Sequence, residues 1–204
     1  MSDAVLGAVL VGGASRRMGA DKASLALDGE PMAHRVRRAL FDGGAGAVVL
    51  IGADPDEDGA VADRWPGEGP LGGLATAVAE ADGVGGVEVV VVAACDQPDL
   101  TGAVIADLVH ALHGAPDEVI AAAVVTADGR RQPFPSAWRT AAAPALIGLV
   151  DDGARRSDAA FSVGRTVEIE APTAVVEDLD TPDDVRRWTT RHRGDGGAIP
   201  EHRG

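Results

Sequence analysis

Ala4-Val-Leu-Gly-Ala-Val-Leu-Val-Gly-Gly13 begins the patterned part of the chain with an apolar run that stops on two glycines. Val87-Glu-Val-Val-Val-Val-Ala-Ala-Cys-Asp96 repeats the design and ends on a carboxylate. Two further runs, Ala47–Ile51 and Val119–Val125, are bounded in the same way by Gly, Asp or Pro. Short apolar runs of this length read as strands buried on both faces. Helical patterns alternate with them. Pro31–Leu40 repeats Met32, Val36, Ala39 and Leu40 at helical spacing before Gly43 and Gly44; Leu71–Ala81 precedes the third strand; Gly102–Leu112 follows Thr101 as N-cap. The alternation predicts an α/β chain with a doubly wound, mostly parallel sheet covered by helices on both faces.

The second half is less regular. Gln132–Trp138 is extended but carries Pro133 and Pro135, which points to an edge strand. A helix is expected over Thr140–Val150, and Arg165–Ile169 and Val175–Val176 read as short strands. Thr181-Pro-Asp-Asp184 opens a last helix, with Thr as N-cap, Pro at N1 and acids at the positive end of the dipole. Residues 1–190 are expected to form one domain, and from about 191 to 204 Gly, Pro, Arg and His replace core residues, as in a flexible tail.

Composition narrows the function. The 204 residues carry a formal charge of −14, which disfavours nucleic acid or an anionic membrane as partner. With 46% hydrophobic residues, 3% aromatic and no Tyr, the core must be built from Val, Ala, Leu and Ile. One cysteine, Cys95, cannot form an internal disulfide, and no apolar stretch is long enough to cross a bilayer. A soluble, cytoplasmic protein is expected. His110 and His113 are read as surface residues rather than as a zinc site.

The loop after the first strand concentrates the chemistry. Within Leu10-Val-Gly-Gly-Ala-Ser-Arg-Arg-Met-Gly-Ala-Asp-Lys22, glycines bring backbone N–H groups close to a ligand, while Arg16, Arg17 and Lys22 can neutralise phosphates. The spacing fits neither the P-loop nor the dinucleotide-binding Gly-x-Gly-x-x-Gly pattern. A plain turn with exposed cations is the bland reading. The stretch resembles the signature of the molybdenum cofactor guanylyltransferase family of nucleotidyltransferases, Leu-Ala-Gly-Gly-x-Ser-x-Arg-Met-Gly-x-Asp-Lys, with Val11 in place of Ala. Leu25, Leu27, Gly29 and Pro31 continue the match. The resemblance implies a three-layer Rossmann-like nucleotidyltransferase fold. In it the backbone of Leu10, Gly12 and Gly13 meets the nucleotide, and Arg17 and Lys22 hold its triphosphate; the family position of Arg16 is variable.

Three more segments extend the resemblance. Gly69-Pro-Leu-Gly-Gly73 matches the family's Gly-Pro-Leu-x-Gly loop at Gly69, Leu71 and Gly72. Either Asp63 or Glu68 is then the carboxylate that reads guanine, with Asp63 preferred; on sequence alone the segment is only a loop entering a helix. Cys95-Asp96-Gln97-Pro98 matches Cys-Asp-x-Pro. An Asp emerging where a buried strand ends suits Mg2+, which takes carboxylate oxygen, phosphate and water; helix capping is the alternative. Cys95 is read as a packed residue. Asp178-Leu-Asp-Thr-Pro182 resembles the family's Asp-x-Asp-Thr-Pro, so that Asp178 or Asp180 faces the acceptor or completes the metal site, with Asp180 as the metal candidate beside Asp96. Both also serve as acids before a helix. Arg155 and Arg156 are candidates for the acceptor's phosphate and equally for solvated surface, as are the two arginines of Gly129-Arg-Arg-Gln-Pro133.

The resemblance thus implies Mg2+-dependent transfer of GMP from GTP to the terminal phosphate of molybdenum-molybdopterin, with release of pyrophosphate. Arg17, Lys22 and Asp96 would be the catalytic residues. Hand-over of the acceptor by other cofactor-assembly proteins is expected as a transient contact. A CTP-dependent relative is the same-class alternative, which Gly52 and the aspartates at 178 and 180 suggest. A non-catalytic nucleotide-binding module and a sugar-nucleotide glycosyltransferase are the alternatives of other kinds. The latter is disfavoured because Asp96-Gln-Pro98 replaces an Asp-x-Asp strand end.

Overall fold

In the computed structural model, which describes residues 4–11 and 25–194, β1 (Ala4–Leu10) forms the middle of the parallel part of the sheet. It pairs in parallel with β4 (Ala47–Ile51) on one side and β6 (Val87–Ala94) on the other. A hairpin of β2 (Ala26–Leu27) and β3 (Glu30–Pro31) leads into α1 (Met32–Asp42). β5 (Ala60–Val61) adds to β4, and α2 (Pro70–Gly83) crosses over to β6. There follow α3 (Gly102–His113), β7 (Val119–Val125), β8 (Arg131–Arg139), α4 (Ala143–Asp151), β9 (Arg165–Glu170) and α5 (Pro182–Gly194). The main sheet has seven strands in the order β5-β4-β1-β6-β8-β7-β9, and only β8 runs antiparallel to its neighbours.

The apolar runs form strands because both faces are covered. In β6, Val89 and Val91 pack among residues of α1 and α3, such as Val36, Leu40, Ile105 and Leu108. Val90 and Val92 face Leu74, Val78 and Leu146 of α2 and α4. A strand buried on both sides reads as an uninterrupted apolar run. α2 is buried all round from Leu71 to Ala79, and its small residues fit it between the sheet and α4.

Two expectations need correction. β8 is an interior strand, between β6 and β7, not an edge. Its prolines are tolerated because pairing with β6 stops at Ser136 and the register with β7 shifts between Ala123 and Val125, so Pro133 and Pro135 interrupt no regular ladder. The Phe134–Pro135 peptide is cis. Val175–Val176 is no strand: Thr173–Val175 is a 3-10 turn that delivers Val176 to the core. The last helix is also longer than the sequence suggests, running to Gly194. His192 stacks on Trp188, with centroids 3.9 Å apart, and reaches the Asp99 carboxylate at 3.2 Å.

Candidate active site

The parallel strands β1, β4 and β6 end side by side, and hydrogen bonding continues one residue past each end. Val11 N–H donates to Ile51 O (3.0 Å), Gly52 N–H to Val61 O (2.8 Å) and Cys95 N–H to Leu10 O (3.2 Å). Above these ends lies a cleft of about 420 Å³. Leu10, Val11, Ile51, Gly52, Ala94, Cys95 and Asp96 line it from the strand ends. Asp63, Pro66, Gly67, Gly69, Pro70 and Gly73 line it from the segment entering α2, and Phe134 from β8. The carboxyl ends of parallel strands are where open α/β sheets bind ligands, and the volume falls in the range of small-molecule sites. Gly12, Gly13, Arg16, Arg17 and Lys22 lie outside the described residues.

The loop from β5 to α2 is held by its own polar groups. Asp63 Oδ1 accepts from the Trp65 N–H and from the Thr76 hydroxyl, both at 3.0 Å. Thr76 Oγ1 accepts in turn from the Arg64 N–H at 3.0 Å, and the Arg64 guanidinium pairs with Glu80 at 2.7 Å. Gly69 has φ 84° and ψ −179°, a conformation open essentially to glycine alone, and a Cβ there would stand 2.7 Å from the Arg155 carbonyl oxygen. Asp63 lines the cleft. Glu68 instead forms an ion pair with Arg155. Of the three loop residues singled out, Gly69 lines the cleft, Leu71 is core, and Gly72 packs on Trp65. Gly73 was missed: a Cβ there would meet Leu10 at 3.2 Å, so its absence brings α2 onto the first strand.

Arg155 is spent on structure. Its Nη1 donates to the carbonyls of Val150 and Ala154 (both 2.8 Å), and its own carbonyl accepts from the Leu71 N–H at 3.3 Å. Arg156 is exposed and forms a fork with Asp158, with bonds of 3.0 and 2.7 Å. That hydrogen-bonded pair holds the Arg156 pKa above, and the Asp158 pKa below, their ordinary values. Arg131 is likewise paired, with Glu168, and lies over the Phe161 ring.

Asp96 leaves the end of β6 beside the C-terminal segment. The Leu179 N–H donates to the Asp96 carbonyl at 2.9 Å, and Leu179 is buried with Leu27, Met32 and Trp188. Asp178 and Asp180, its neighbours on either side, are exposed, which places the two aspartates on the opposite face of an extended segment next to Asp96. Gln97, only 2% exposed, clamps this arrangement: its Nε2 donates to Phe134 O (3.0 Å) and Val176 O (3.1 Å). Trp188 Nε1 adds a bond to Asp99 at 2.7 Å. Sequence reading missed Gln97 as a structural clamp because nothing local identifies partners 37 and 79 residues away.

Capping of α5 falls to other groups. Thr181 Oγ1 accepts from the Asp184 N–H (3.2 Å), while Asp184 Oδ2 accepts from the Thr181 N–H (2.7 Å) and the Asp180 N–H (3.2 Å). This is a reciprocal capping box. The Thr181 side chain above all holds the Asp184 pKa below the usual carboxylate value.

Carboxylates are the donors a hard divalent cation takes: Asp96 lines the cleft, and Asp178 and Asp180 flank Leu179, whose N–H meets the Asp96 carbonyl. Among the described residues no group of three or more His, Cys, Asp or Glu forms a cage. A cation held by two carboxylates would complete its shell with water and substrate phosphate, the usual arrangement for Mg2+. Among the described residues, no helix is long and apolar enough to cross a membrane.

Comparison with known proteins agrees with this geometry. Residues 7–164 match the model of the MobA-like NTP transferase domain. A probable molybdenum cofactor guanylyltransferase of Opitutus terrae is 39% identical over 52% of this chain and 55% of its own length, so the chain spans about half of that relative. A molybdenum cofactor guanylyltransferase of Rhodobacter capsulatus is 31% identical over 93% of this chain and 97% of its own. Among solved structures, molybdopterin-guanine dinucleotide biosynthesis protein A from Archaeoglobus fulgidus superposes with a TM-score of 0.73 at 21% identity, covering 93% of this chain and 99% of that one. A Mycobacterium tuberculosis protein crystallised in complex with manganese gives 0.68 at 16% identity, covering 92% and 98%. These two share the fold. With the family model matching residues 7–164, most of this chain, and with a cleft at the strand ends where such sheets bind ligands, the chain belongs to the family of the MobA-like NTP transferase domain.

Proposed function

We propose that the protein transfers GMP from GTP to the terminal phosphate of molybdenum-molybdopterin, with Mg2+ and with release of pyrophosphate. The observation that carries this reading is the joint placement of Asp63 and Asp96 in one cleft at the ends of β1, β4 and β6. Asp63 is a carboxylate fixed in orientation, suited to accept from the N1–H and exocyclic amine of guanine. Adenine and cytosine lack that pair of donors and would leave the carboxylate's base-facing oxygen unpaired, a loss of ~1–3 kcal/mol. Asp96, with Asp180 as the second carboxylate next to Leu179, whose N–H meets the Asp96 carbonyl, is the site for the divalent ion, and the structural neighbour solved with manganese supports a divalent ion in this fold.

The chemistry is in-line displacement. An oxygen of the acceptor's terminal phosphate forms a bond to the α-phosphorus of GTP as the bond from that phosphorus to the bridging α–β oxygen breaks, and pyrophosphate leaves. No side chain acts as nucleophile; Cys95, buried at the strand end, is a packing residue. Lys22 and Arg17 neutralise the triphosphate, and Leu10 with Gly12 and Gly13 brings backbone against it. When bound, the metal ion supplies charge neutralisation at the phosphates. The protein's contribution is positioning and preorganised electrostatics. Asp178, Arg155 and Arg156 are the acceptor-side residues of this reading. Arg155 reaches it through the loop it supports, since its guanidinium is already engaged. Transient contact with the proteins that deliver the acceptor, in the cytoplasm, belongs to the same proposal.

Pyrophosphate release with Mg2+ and molybdenum-loaded molybdopterin, compared for GTP, CTP and ATP, tests the reading. Release with GTP alone is expected, and Asp96→Asn should abolish it while leaving the fold intact. Release with CTP alone, or an active and folded Asp96→Asn variant, would overturn the base or the metal assignment respectively.

A further inference from the structure

Thr76 is a hydroxyl where the fold has no packing use for one. It is 0% exposed in α2, a helix whose other buried positions from Leu71 to Ala81 are all apolar or glycine. Such a side chain is tolerated only if its hydrogen-bonding capacity is used. Both of its bonds go to the loop carrying the base-reading carboxylate: the hydroxyl donates to Asp63 Oδ1 at 3.0 Å and accepts from the Arg64 N–H at 3.0 Å. The direction is forced, because a backbone N–H can only donate and an ionised carboxylate can only accept. One turn further along α2, Glu80 holds the Arg64 guanidinium at 2.7 Å. The loop is thereby stapled to a buried helix at two points.

We infer that Thr76 is the positioning residue that fixes the plane of the Asp63 carboxylate and so sets guanine selectivity. The inference rests on the base-reading role proposed above for Asp63. Oδ1 already accepts two hydrogen bonds, from the Trp65 N–H and the Thr76 hydroxyl, which uses its two lone pairs. Among the described residues, Oδ2 accepts none. Asp63 therefore meets the base with Oδ2, and the angle at which Oδ2 faces the N1–H and the exocyclic amine is dictated by the bonds to Oδ1. A carboxylate free to rotate would still attract the N1–H but would lose the geometry that rewards the amine.

The test compares affinities for GTP and ITP, which differ only in the exocyclic amine, together with kcat and KM, for the wild type, Thr76→Val, Thr76→Ser, Asp63→Ala and the Asp63→Ala, Thr76→Val pair. Thr76→Val should weaken GTP about tenfold, as expected for one misaligned bond to a charged group, with kcat and ITP affinity changed less than about twofold. Thr76→Ser should restore selectivity. In the Asp63→Ala background, Thr76→Val should cost no further selectivity, since the two act as one unit. Should Thr76→Val not fold, Thr76→Ala provides the same comparison. An unchanged GTP-to-ITP ratio in a folded Thr76→Val variant, with selectivity lost in Asp63→Ala, would overturn the positioning role alone. An unchanged ratio in Asp63→Ala would overturn the base assignment and this inference with it.

Discussion

Substituting alanine at three glycines of the α2 region separates backbone strain from steric clash. Gly83 ends α2 with nothing within 4 Å of a would-be Cβ. Gly67 has φ +83° and equally open surroundings, while Gly69 has φ +84° and the Arg155 oxygen 2.7 Å from its Cβ position. Gly83→Ala should stabilise by roughly 0.4–1 kcal/mol, because it restricts the unfolded chain. Gly67→Ala gains the same but pays the left-handed penalty of ~1–2 kcal/mol, a net loss of about 0.5–1 kcal/mol. Gly69→Ala meets the larger penalty of its φ/ψ region, ~1–3 kcal/mol. It must also push a backbone oxygen back by several tenths of an ångström, which weakens the Leu71 N–H bond to that oxygen by ~0.5–1.5 kcal/mol. The net loss is about 1–3.5 kcal/mol, or roughly 2–14 °C in Tm for a chain of this size. Thermal denaturation of the three variants reads the series. The KM for the nucleotide should rise most in Gly69→Ala, since Gly67 and Gly69 both line the cleft but only Gly69 anchors the loop against Arg155. Equal melting of Gly69→Ala and Gly67→Ala would refute the close approach to Arg155.

The α5 cap should be pH-dependent. Asp184 has its folded pKa held below 3.8 by the Thr181 hydrogen bonds, so its stabilisation is complete above the unfolded value and is lost as pH falls through the folded one. Asp184→Asn should therefore lower the urea midpoint at pH 7 and much less at pH 2–3; an equal loss at both would show that the charge is irrelevant. Gln97→Leu leaves Phe134 O and Val176 O without their donor. A loss of about 2–5 kcal/mol is expected by chemical denaturation, with turnover falling more than nucleotide affinity; wild-type stability would show that other groups satisfy these carbonyls.

Much of the architecture can be read locally. β1, β4, β6 and β7 are apolar runs because strands covered on both faces must be so, and α1 and α3 show their inner faces at 3.6-residue spacing. The cap at Thr181 is likewise a matter of four adjacent residues. Asp96 was legible because a carboxylate after eight nearly all-apolar residues must mark a strand leaving the core. β8 was misjudged for the opposite reason. Its prolines argue for an edge, and only the register shift against β7 and the end of pairing with β6 at Ser136 show why an interior strand tolerates them.

By itself the sequence determined the layers, the sheet's parallel core and the carboxylates available for chemistry, because burial and periodicity are local properties of a chain. The tertiary structure decided which of those carboxylates share a cleft. It turned Glu68 toward Arg155 while Asp63 faces the strand ends, and it brought Leu179 onto the Asp96 carbonyl across more than eighty residues. It also gave Thr76 and Gln97 their roles. Each is a buried polar group whose partners lie on other elements, and a hydrogen bond between distant segments leaves no periodic trace in the sequence.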